Sequence, residues 1–365
     1  MAVACGIVGL PNVGKSTIFN AITAAGAESA NYPFCTIEPN IGIVDVPDPR
    51  LEQIRGHISS QKVIPASLKV VDIAGLVAGA ASGEGLGNKF LGNIKETDAI
   101  LHVVRCFDNV DIVHVAGRVD PIEDIEVIEL ELGMADTETL TRNIERVGKR
   151  ARSGDKESVA QKELFQRALD IVEGGKSLRS IDWKPEERAL LRPLFLITLK
   201  PVLYVANVAD DDLDGSGELA QRVAKYAAST GADFVALSGD IEGELAGMDP
   251  GDRAEFQAEL GIVEPGLDRL AHQAYHLLGL QTYFTAGPKE IRAWTIHKGD
   301  TAPKAAGVIH TDFEKGFIRA ECYSVADLEE LKTESAIRAA GRLRVEGREY
   351  VMRDGDVVHF LFNKN

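Results

Sequence analysis

Short runs of apolar residues recur along the chain and alternate with stretches of helical spacing. The apolar runs are VACGIVG, IGIVDV, SLKVVDIAG, AILHVVRC, PVLYVANV and DFVALS, and helical spacing is evident in KSTIFNAITAA. Continuous apolar runs are typical of buried parallel strands, whereas apolar positions three and four residues apart indicate helices. The alternation predicts an α/β fold with a doubly wound sheet that binds its ligand at the carboxyl ends of the strands.

Two stretches depart from this alternation and predict further structural units. The segment between AILHVVRC and PVLYVANV is too long for one crossover, and its middle is rich in charged residues at helical spacing. We read 134–195 as a helical hairpin inserted into a sheet domain that comprises 1–133 and 196–279. From 280 to 365, runs such as EIRAWTI and KGFIRAECYS alternate like the strands of a smaller β-rich module.

Composition narrows the class of protein. The chain has 365 residues, of which 45% are hydrophobic and 26% charged, as expected of a globular protein with two or three packed domains. The lack of a long apolar segment predicts a cytoplasmic protein without membrane contact. Four scattered cysteines fit reduced thiols better than a disulfide or zinc framework. The net charge of -16 argues against nucleic-acid binding over the whole surface, but a local basic patch is compatible with it.

The stretch GLPNVGKST, directly after the first apolar run, carries the strongest chemical signal. A glycine, four residues and then Gly-Lys-Ser is the spacing of a phosphate-binding loop that lies between a strand and a helix. In such a loop, backbone N–H groups hold the β-phosphate, Lys15 supplies charge to the β- and γ-phosphates, and Ser16 offers a hydroxyl to Mg²⁺. The sequence therefore predicts a nucleotide site that uses Mg²⁺.

The run VVDIAG favours a hydrolysing switch among the many phosphate-loop proteins. Asp72 is placed to orient the water shell of Mg²⁺, and the backbone of Gly75 is placed to sense the γ-phosphate. Thr36, in the upstream segment NYPFCTIEPN, is a further candidate magnesium ligand. The plainer alternatives are a turn aspartate and a threonine in an irregular loop.

The residue that orients the attacking water must come from outside the VVDIAG segment. Leu76 follows Gly75, and a leucine side chain has no polar atom with which to hold water. His114 is a candidate, because it follows the AILHVVRC strand and imidazole can hydrogen-bond water at neutral pH. A histidine beside apolar residues is more often structural, so both roles stay open for His114.

Several of these segments together resemble the YchF/Obg-like ATPase family of P-loop proteins. The matching segments are GLPNVGKST, NYPFCTIEPN, DIAGLVAGAASGEGLGNKFL and VVRCFD, and the likeness extends over nearly the whole chain. It implies a G domain split by a coiled-coil hairpin and followed by a TGS domain, which is a ubiquitin-like β-grasp module. It further implies ATP hydrolysis with Mg²⁺ and association with ribosomes, and we expect a monomer that contacts rRNA or a ribosomal protein of the large subunit.

The resemblance also implies which residues bind the nucleotide. The phosphate loop of the family corresponds here to Asn12, Val13, Gly14, Lys15, Ser16 and Thr17. Its adenine-contacting segment corresponds to Asn207 and Val208, and the same segment ends at Asp210. We add Ser238, at the end of the run DFVALS, as a further candidate. The resemblance also implies that Ser16 and Thr36 are magnesium ligands. One position departs from the pattern of the family. The chain reads NVAD, ending at Asp210, where the family usually has N-x-x-E, and this is closer to the guanine-selecting N-K-x-D.

Three functions remain to be distinguished. The first is a nucleotide-driven switch that hydrolyses ATP, or GTP if Asp210 selects guanine. The second is a ribosome-binding clamp for which the nucleotide is only a structural ligand. The third, a metabolic kinase, is disfavoured because the chain shows no acceptor site or lid arginines and because a kinase would not explain DIAG.

Overall fold

The computed structural model describes residues 3–28, 40–73, 86–109, 114 and 117–363, which divide into two compact units. The first unit spans 1–44 and 69–273, and the second spans 45–68 and 274–365. The strands are β1 (Ala4–Val8), β2 (Ile41–Val46), β3 (Val63–Ile64), β4 (Ala66–Asp72), β5 (Ala99–Arg105), β6 (Val202–Asn207), β7 (Asp233–Leu237), β8 (Leu280–Ala286), β9 (Ile291–His297), β10 (Phe317–Ser324), β11 (Arg344–Glu346) and β12 (Asp356–Phe362).

The helices of both units are numbered in the order in which they occur along the chain. They are α1 (Lys15–Glu28), α2 (Pro49–His57), α3 (Leu86–Lys95), α4 (Pro121–Ala151), α5 (Lys156–Glu173), α6 (Pro185–Leu191), α7 (Glu218–Thr230), α8 (Gly239–Ala246), α9 (Pro250–Glu259), α10 (Gly266–Leu277), α11 (Ala302–Ile309), α12 (Thr311–Lys315), α13 (Val325–Leu331) and α14 (Glu334–Ala339). Short 3-10 turns occupy Leu178–Ser180 and Arg192–Leu194.

The first sheet confirms the predicted α/β fold class. Within the described residues its strand order is β2-β4-β1-β5-β6-β7, and β1 pairs in parallel with β4 and β5. The pairs β5–β6 and β6–β7 are parallel as well. Every residue of β1, β5 and β6 is buried, which explains their unbroken apolar sequences, whereas β2 at the edge alternates between buried and half-buried positions.

The strand register brings several predicted site residues to one edge of this sheet. Ile7, near the end of β1, lies opposite Asp72, which is the last residue of β4. Asn207, at the end of β6, pairs with Arg105 on one side and with Leu237 on the other. Because parallel strands end at a common edge, the phosphate loop, Asp72 and Asn207 emerge together.

A helical insertion follows β5. Asp120 caps α4 by accepting hydrogen bonds from the N–H groups of Ile122 and Glu123, and Pro121 occupies the first helical position. Helices α4 and α5 pack together around a hydrophobic cluster that includes Leu140, Val147, Leu164, Phe165 and Trp183. The first helix thus starts before residue 134, and the domain boundaries that we drew from the sequence stay a prediction.

Buried polar contacts join α4 to the chain that returns toward β6. The carboxylate of Asp136 accepts hydrogen bonds from the backbone N–H groups of Ile197 and Thr198, at 2.8 and 2.7 Å, and from the Thr198 hydroxyl at 2.7 Å. Burial raises the pKa of Asp136, and these hydrogen bonds act in the opposite direction. Glu129 forms a second contact of this kind, an ion pair with Arg179.

The second unit contains a sheet whose order in the described part of the chain is β11-β10-β12-β8-β9-β3. β8 pairs antiparallel with β9 and in parallel with β12, β10 pairs antiparallel with β11 and β12, and α11 connects β9 to the second half of the sheet. From β8 onward, this arrangement of strands around one crossing helix is a β-grasp. The narrower assignment as a TGS domain stays a prediction.

Residues 45–68 contribute to the second unit although they lie between two strands of the first sheet. Strand β3 pairs in parallel with β9, through Val63 and Ile291, and Arg50 at the start of α2 forms a 2.7 Å ion pair with Asp354. The sequence analysis did not anticipate this exchange, because α2 and β3 are separated from the β-grasp by more than half of the chain.

Two features bear on the expectations from composition. No helix among the described residues combines the length and apolar character that a membrane span requires. Cys5, Cys106 and Cys322 are buried free thiols, as the sequence predicted for these three, whereas Cys35 lies outside the described residues.

Asp136→Ala should destabilise the first unit, because two buried backbone N–H groups lose their acceptor. We expect the free energy of unfolding to fall by about 3 to 5 kcal/mol, measured by urea denaturation. Glu138→Ala is the matched control on the same helix, since its side chain is 65% exposed and paired only with Arg142. A loss as small as that of the control would contradict the anchoring role.

Candidate functional site

Two glycines of the phosphate loop are required by close contacts and by backbone conformation. A Cβ on Gly9 would lie 2.5 Å from the carbonyl oxygen of Val103, on the neighbouring strand β5. Gly14 has φ +89°, and a Cβ there would lie 2.0 Å from Nδ2 of Asn207. The loop can therefore follow this path only with glycine at both positions, and α1 begins directly after it at Lys15.

The side chain of Asn207 connects the phosphate loop to the start of α8. Its Nδ2 donates to the carbonyl oxygen of Val13 at 3.0 Å, and its Oδ1 accepts from the N–H of Gly239 at 2.9 Å. Asn207 is 5% exposed, so both bonds are shielded from water. One Nδ2 hydrogen is used in this way, and the amide carries a second one.

The remaining residues of the phosphate loop differ in their exposure to solvent. Val13 is fully buried, Lys15 and Thr17 are half-buried, and Asn12 and Ser16 are exposed. Asn12 has φ +63°, a left-handed conformation that asparagine tolerates better than most residues. The buried valine fixes the loop to the sheet, while the exposed side of the loop presents the polar side chains.

Asp72 has a buried oxygen atom at the end of β4. Its Oδ1 is buried and makes no hydrogen bond to any described residue. Buried carboxylate oxygens are rarely left without a partner, and this one lies at the strand edge where the phosphate loop begins. Carboxylate and hydroxyl oxygens suit a hydrated Mg²⁺, so the orphaned oxygen fits the predicted use of Asp72.

A full cage of protein ligands is absent from the described residues. No group of three or more His, Cys, Asp or Glu side chains there could hold a metal ion. Mg²⁺ is commonly held by one or two protein oxygens together with phosphate oxygens and water. The donor set of Ser16 and Asp72 matches that mode of binding.

Asp210 and Ser238 form a hydrogen-bonded pair beside Asn207. The Ser238 hydroxyl donates to Oδ1 of Asp210 at 2.6 Å and accepts from the N–H of Ile241 at 3.3 Å, so it also caps α8. Asp210 is exposed, whereas Val208 is 2% exposed and its N–H donates to the carbonyl oxygen of Leu237. The pair orients a carboxylate that faces solvent, and the Val208 side chain lies in the interior.

His114 lies against the helical insertion. Its Nε2 is 2.9 Å from Oδ2 of Asp124, in the first turn of α4, and the two side chains are 3% and 4% exposed. Burial raises the pKa of Asp124, and the hydrogen bond from His114 acts in the opposite direction. His114 is thus held by the insertion through Asp124.

Two of the predicted site residues cannot be placed, and two residues that were not predicted take part in the contacts described above. Thr36 and Gly75 lie outside the described residues. Gly239 and Asp124 have roles that the sequence analysis missed. The Ser-Gly pair that follows the apolar run DFVAL is a signal that could have indicated Gly239, whereas nothing in the spacing of His114 and Asp124 indicates that they meet.

The strand order, the glycine-constrained loop and the residues at the shared strand edge define a P-loop nucleotide-binding fold of the GTPase type. A family model described as 50S ribosome-binding GTPase matches residues 4–146. A second model, for the carboxyl-terminal domain of YchF GTPases and described as a protein of unknown function, matches residues 280–363.

Full-length relatives specify the family. The chain is 53% identical over 363 residues to a protein of Haemophilus influenzae, and 52% identical over 365 residues to one of Bacillus subtilis, both named ribosome-binding ATPase YchF. Each alignment covers 100% of both chains. The solved structure of the Schizosaccharomyces pombe YchF GTPase matches with a TM-score of 0.89 and 38% identity, over 98% of this chain and 97% of that one. The chain belongs to the YchF family.

Proposed function

We propose that this protein is a ribosome-associated ATPase that acts as a molecular switch. The observation that carries the proposal is the convergence of the phosphate loop, Asp72 and Asn207 at one edge of the sheet. The relatives named ribosome-binding ATPase support both the reaction and the partner. A ribosomal partner would place the protein in the cytoplasm, where we propose that it works as a monomer.

The phosphate loop would hold the triphosphate through its backbone N–H groups and the Lys15 ammonium. Ser16 and Asp72 would hold Mg²⁺, with Thr36 as the third predicted protein ligand. The ion supplies charge neutralisation on the β- and γ-phosphates when it is bound. Lys15 adds a positive charge on the same oxygens, and Gly75 is the proposed sensor of the γ-phosphate.

His114 is the proposed residue that orients the attacking water. Imidazole can accept a proton from water, or hold it by a hydrogen bond, at neutral pH. The tight pairing with Asp124 supports a fixed ring orientation, which a residue acting on water requires.

Base selection depends on the residues around Asn207. Guanine selection of the N-K-x-D type uses an aspartate together with a lysine, and here Val208 replaces the lysine and is buried. The missing lysine lowers the preference for guanine, whereas Asp210 favours guanine. A carboxylate can accept hydrogen bonds from the N1 and N2 hydrogens of guanine, but adenine has no hydrogen at N1. Its hydrogen bond to Ser238 leaves the second carboxylate oxygen for such contacts. We propose that ATP binds at least as tightly as GTP.

The ribosome would be contacted through the tip of the helical hairpin. The basic residues there are all exposed, namely Arg142, Arg146, Lys149, Arg150, Arg152 and Lys156. Arg142 is paired with Glu138, and Arg146 donates to the side chain of Asn143. Cations at i, i+4 spacing on one helix are suited to phosphate oxygens, and the large subunit with its rRNA is the proposed partner.

Turnover of ATP by the purified protein, with and without ribosomes, tests the main proposal. If ribosomes accelerate ATP hydrolysis, the result supports the molecular switch. Tight nucleotide binding without turnover under either condition would favour the clamp, in which the nucleotide is a structural ligand.

Lys15→Ala should lower the ATP turnover by at least about 100-fold, because the lysine neutralises charge that develops on the phosphates. Lys225→Ala, at an exposed position of α7, is the matched control and should leave turnover unchanged. Circular dichroism and thermal melting check that the fold is kept. Wild-type turnover in Lys15→Ala would remove the phosphate-loop assignment.

ATP and GTP affinities, measured by competition titration, should differ by less than about tenfold, or roughly 1.4 kcal/mol. Asp210→Ala should weaken GTP binding more than ATP binding, and Asp210→Glu should increase the preference for ATP. The control is Asp211→Ala, which removes the neighbouring exposed carboxylate. A hundredfold preference of the wild type for GTP would make the protein a GTP-selective GTPase instead.

Reversing three charges at the hairpin tip, as Arg142→Glu, Arg146→Glu and Arg150→Glu together, should weaken co-sedimentation with ribosomes and reduce its dependence on salt. The matched control carries the same change in charge at exposed positions outside the hairpin tip: Lys176→Glu, Arg188→Glu and Lys225→Glu. Equal pelleting of both variants would exclude the tip as the contact.

A further inference from the structure

The hydrogen bond between His114 and Asp124 joins the loop after β5 to the helical insertion. Nε2 of the ring lies 2.9 Å from Oδ2 of the carboxylate, and both side chains are almost completely buried. A buried carboxylate is costly unless it is hydrogen-bonded, so this contact is strongly favoured once the two elements pack.

The carboxylate determines how the imidazole is oriented. An ionised carboxylate can only accept, so the ring nitrogen that faces it carries a hydrogen. Nε2 is then the nitrogen that donates to Asp124, and this hydrogen bond fixes the orientation of the ring. A carboxylate that fixes a histidine in one tautomer in this way is a recurring device for preparing the other ring nitrogen to act on a proton.

The position of Asp124 is itself fixed by the start of α4. Asp120 caps this helix and forms a 2.8 Å ion pair with Arg222 of α7, so the first turn is held against the first unit. A negative charge in the first turn is also stabilised by the helix dipole. The carboxylate of Asp124 is therefore held on a helix, and His114 lies ten residues before it in the chain.

We propose that Asp124 is a positioning residue for His114, holding the imidazole in the orientation and tautomer in which it acts on the attacking water. The inference rests on the proposed function, in which His114 orients that water. It assigns the amino end of α4 a part in hydrolysis, separate from the proposed ribosome contact at the tip.

The experiment compares purified full-length variants in ATP hydrolysis, with kcat and KM measured separately and with ATP affinity from titration. The variants are Asp124→Asn, Asp124→Glu, His114→Ala and the double variant His114→Ala with Asp124→Asn. Glu126→Gln is the matched control, because it removes an exposed carboxylate from the following turn of the same helix. Thermal melting of each variant checks the fold.

Asp124→Asn should lower kcat by about tenfold to a hundredfold and leave KM and ATP affinity within about twofold, because only the orientation of His114 changes. Asp124→Glu keeps a carboxylate and should give a kcat between that of Asp124→Asn and the wild type. Asp124→Asn should cause no further loss in the His114→Ala background, since two residues that act as a unit are not additive. Glu126→Gln should behave as the wild type.

The possible contrary results are distinguishable. A slow His114→Ala with a wild-type Asp124→Asn would overturn the positioning role and leave the proposed function intact. A faster Asp124→Asn would mean that the carboxylate restrains the ring, which also overturns the inference. Additive losses in the double variant would show that Asp124 acts independently of His114. A wild-type rate in His114→Ala would remove the catalytic role of His114 and this inference with it.

Discussion

The amide of Asn207 is the contact on which the geometry of the candidate nucleotide site depends. It lies at the end of β6 and binds the carbonyl oxygen of Val13 on one side and the N–H of Gly239 on the other. Two loops that are separated by more than two hundred residues are thereby kept at a fixed distance. The same amide leaves no room for a side chain at residue 14, so one hydrogen-bonded asparagine accounts for both the loop spacing and the glycine requirement.

This constraint also limits how Asn207 can recognise a base. The resemblance to the family implied a direct contact with adenine, whereas the structure uses both polar atoms of the amide within the protein. A side chain held by two buried bonds has little freedom to adjust, so it presents its remaining hydrogen in one direction. In the proposed function, selectivity between purines would then rest on the more exposed carboxylate of Asp210, which accepts a hydrogen bond from Ser238.

Much of the fold could be predicted from local sequence because local physics determines it. Fully buried parallel strands require unbroken apolar runs, and the phosphate loop requires glycine at fixed positions, so both leave a visible pattern. The same holds for the start of α4, where Asp120 and Pro121 form a recognisable helix beginning, although the sequence analysis placed the hairpin later.

The parts that could not be predicted depend on contacts between distant segments. Strand β3 has only two residues, Val63 and Ile64, and it is a strand only because β9 offers it a partner. The pairing of His114 with Asp124 has a similar origin, since ten residues of chain can follow many paths and only the packed structure selects one. Residue types alone therefore identified His114 as a candidate but could not identify the group that holds it.

Helix α4 runs from the contact between Asp124 and His114 to the basic residues near the hairpin tip. It has 31 residues and so extends about 46 Å at the usual rise of about 1.5 Å per residue. Asp124 lies in its first turn, Asp136 anchors its middle to the chain before β6, and the basic residues lie toward its far end. A partner bound at the tip could alter hydrolysis only if it favoured one arrangement of this helix over another. The buried hydrogen bonds of Asp136 oppose any shift of the middle, so a small rotation about that anchor would alter the contact of Asp124 with His114 more readily than a translation of the whole helix.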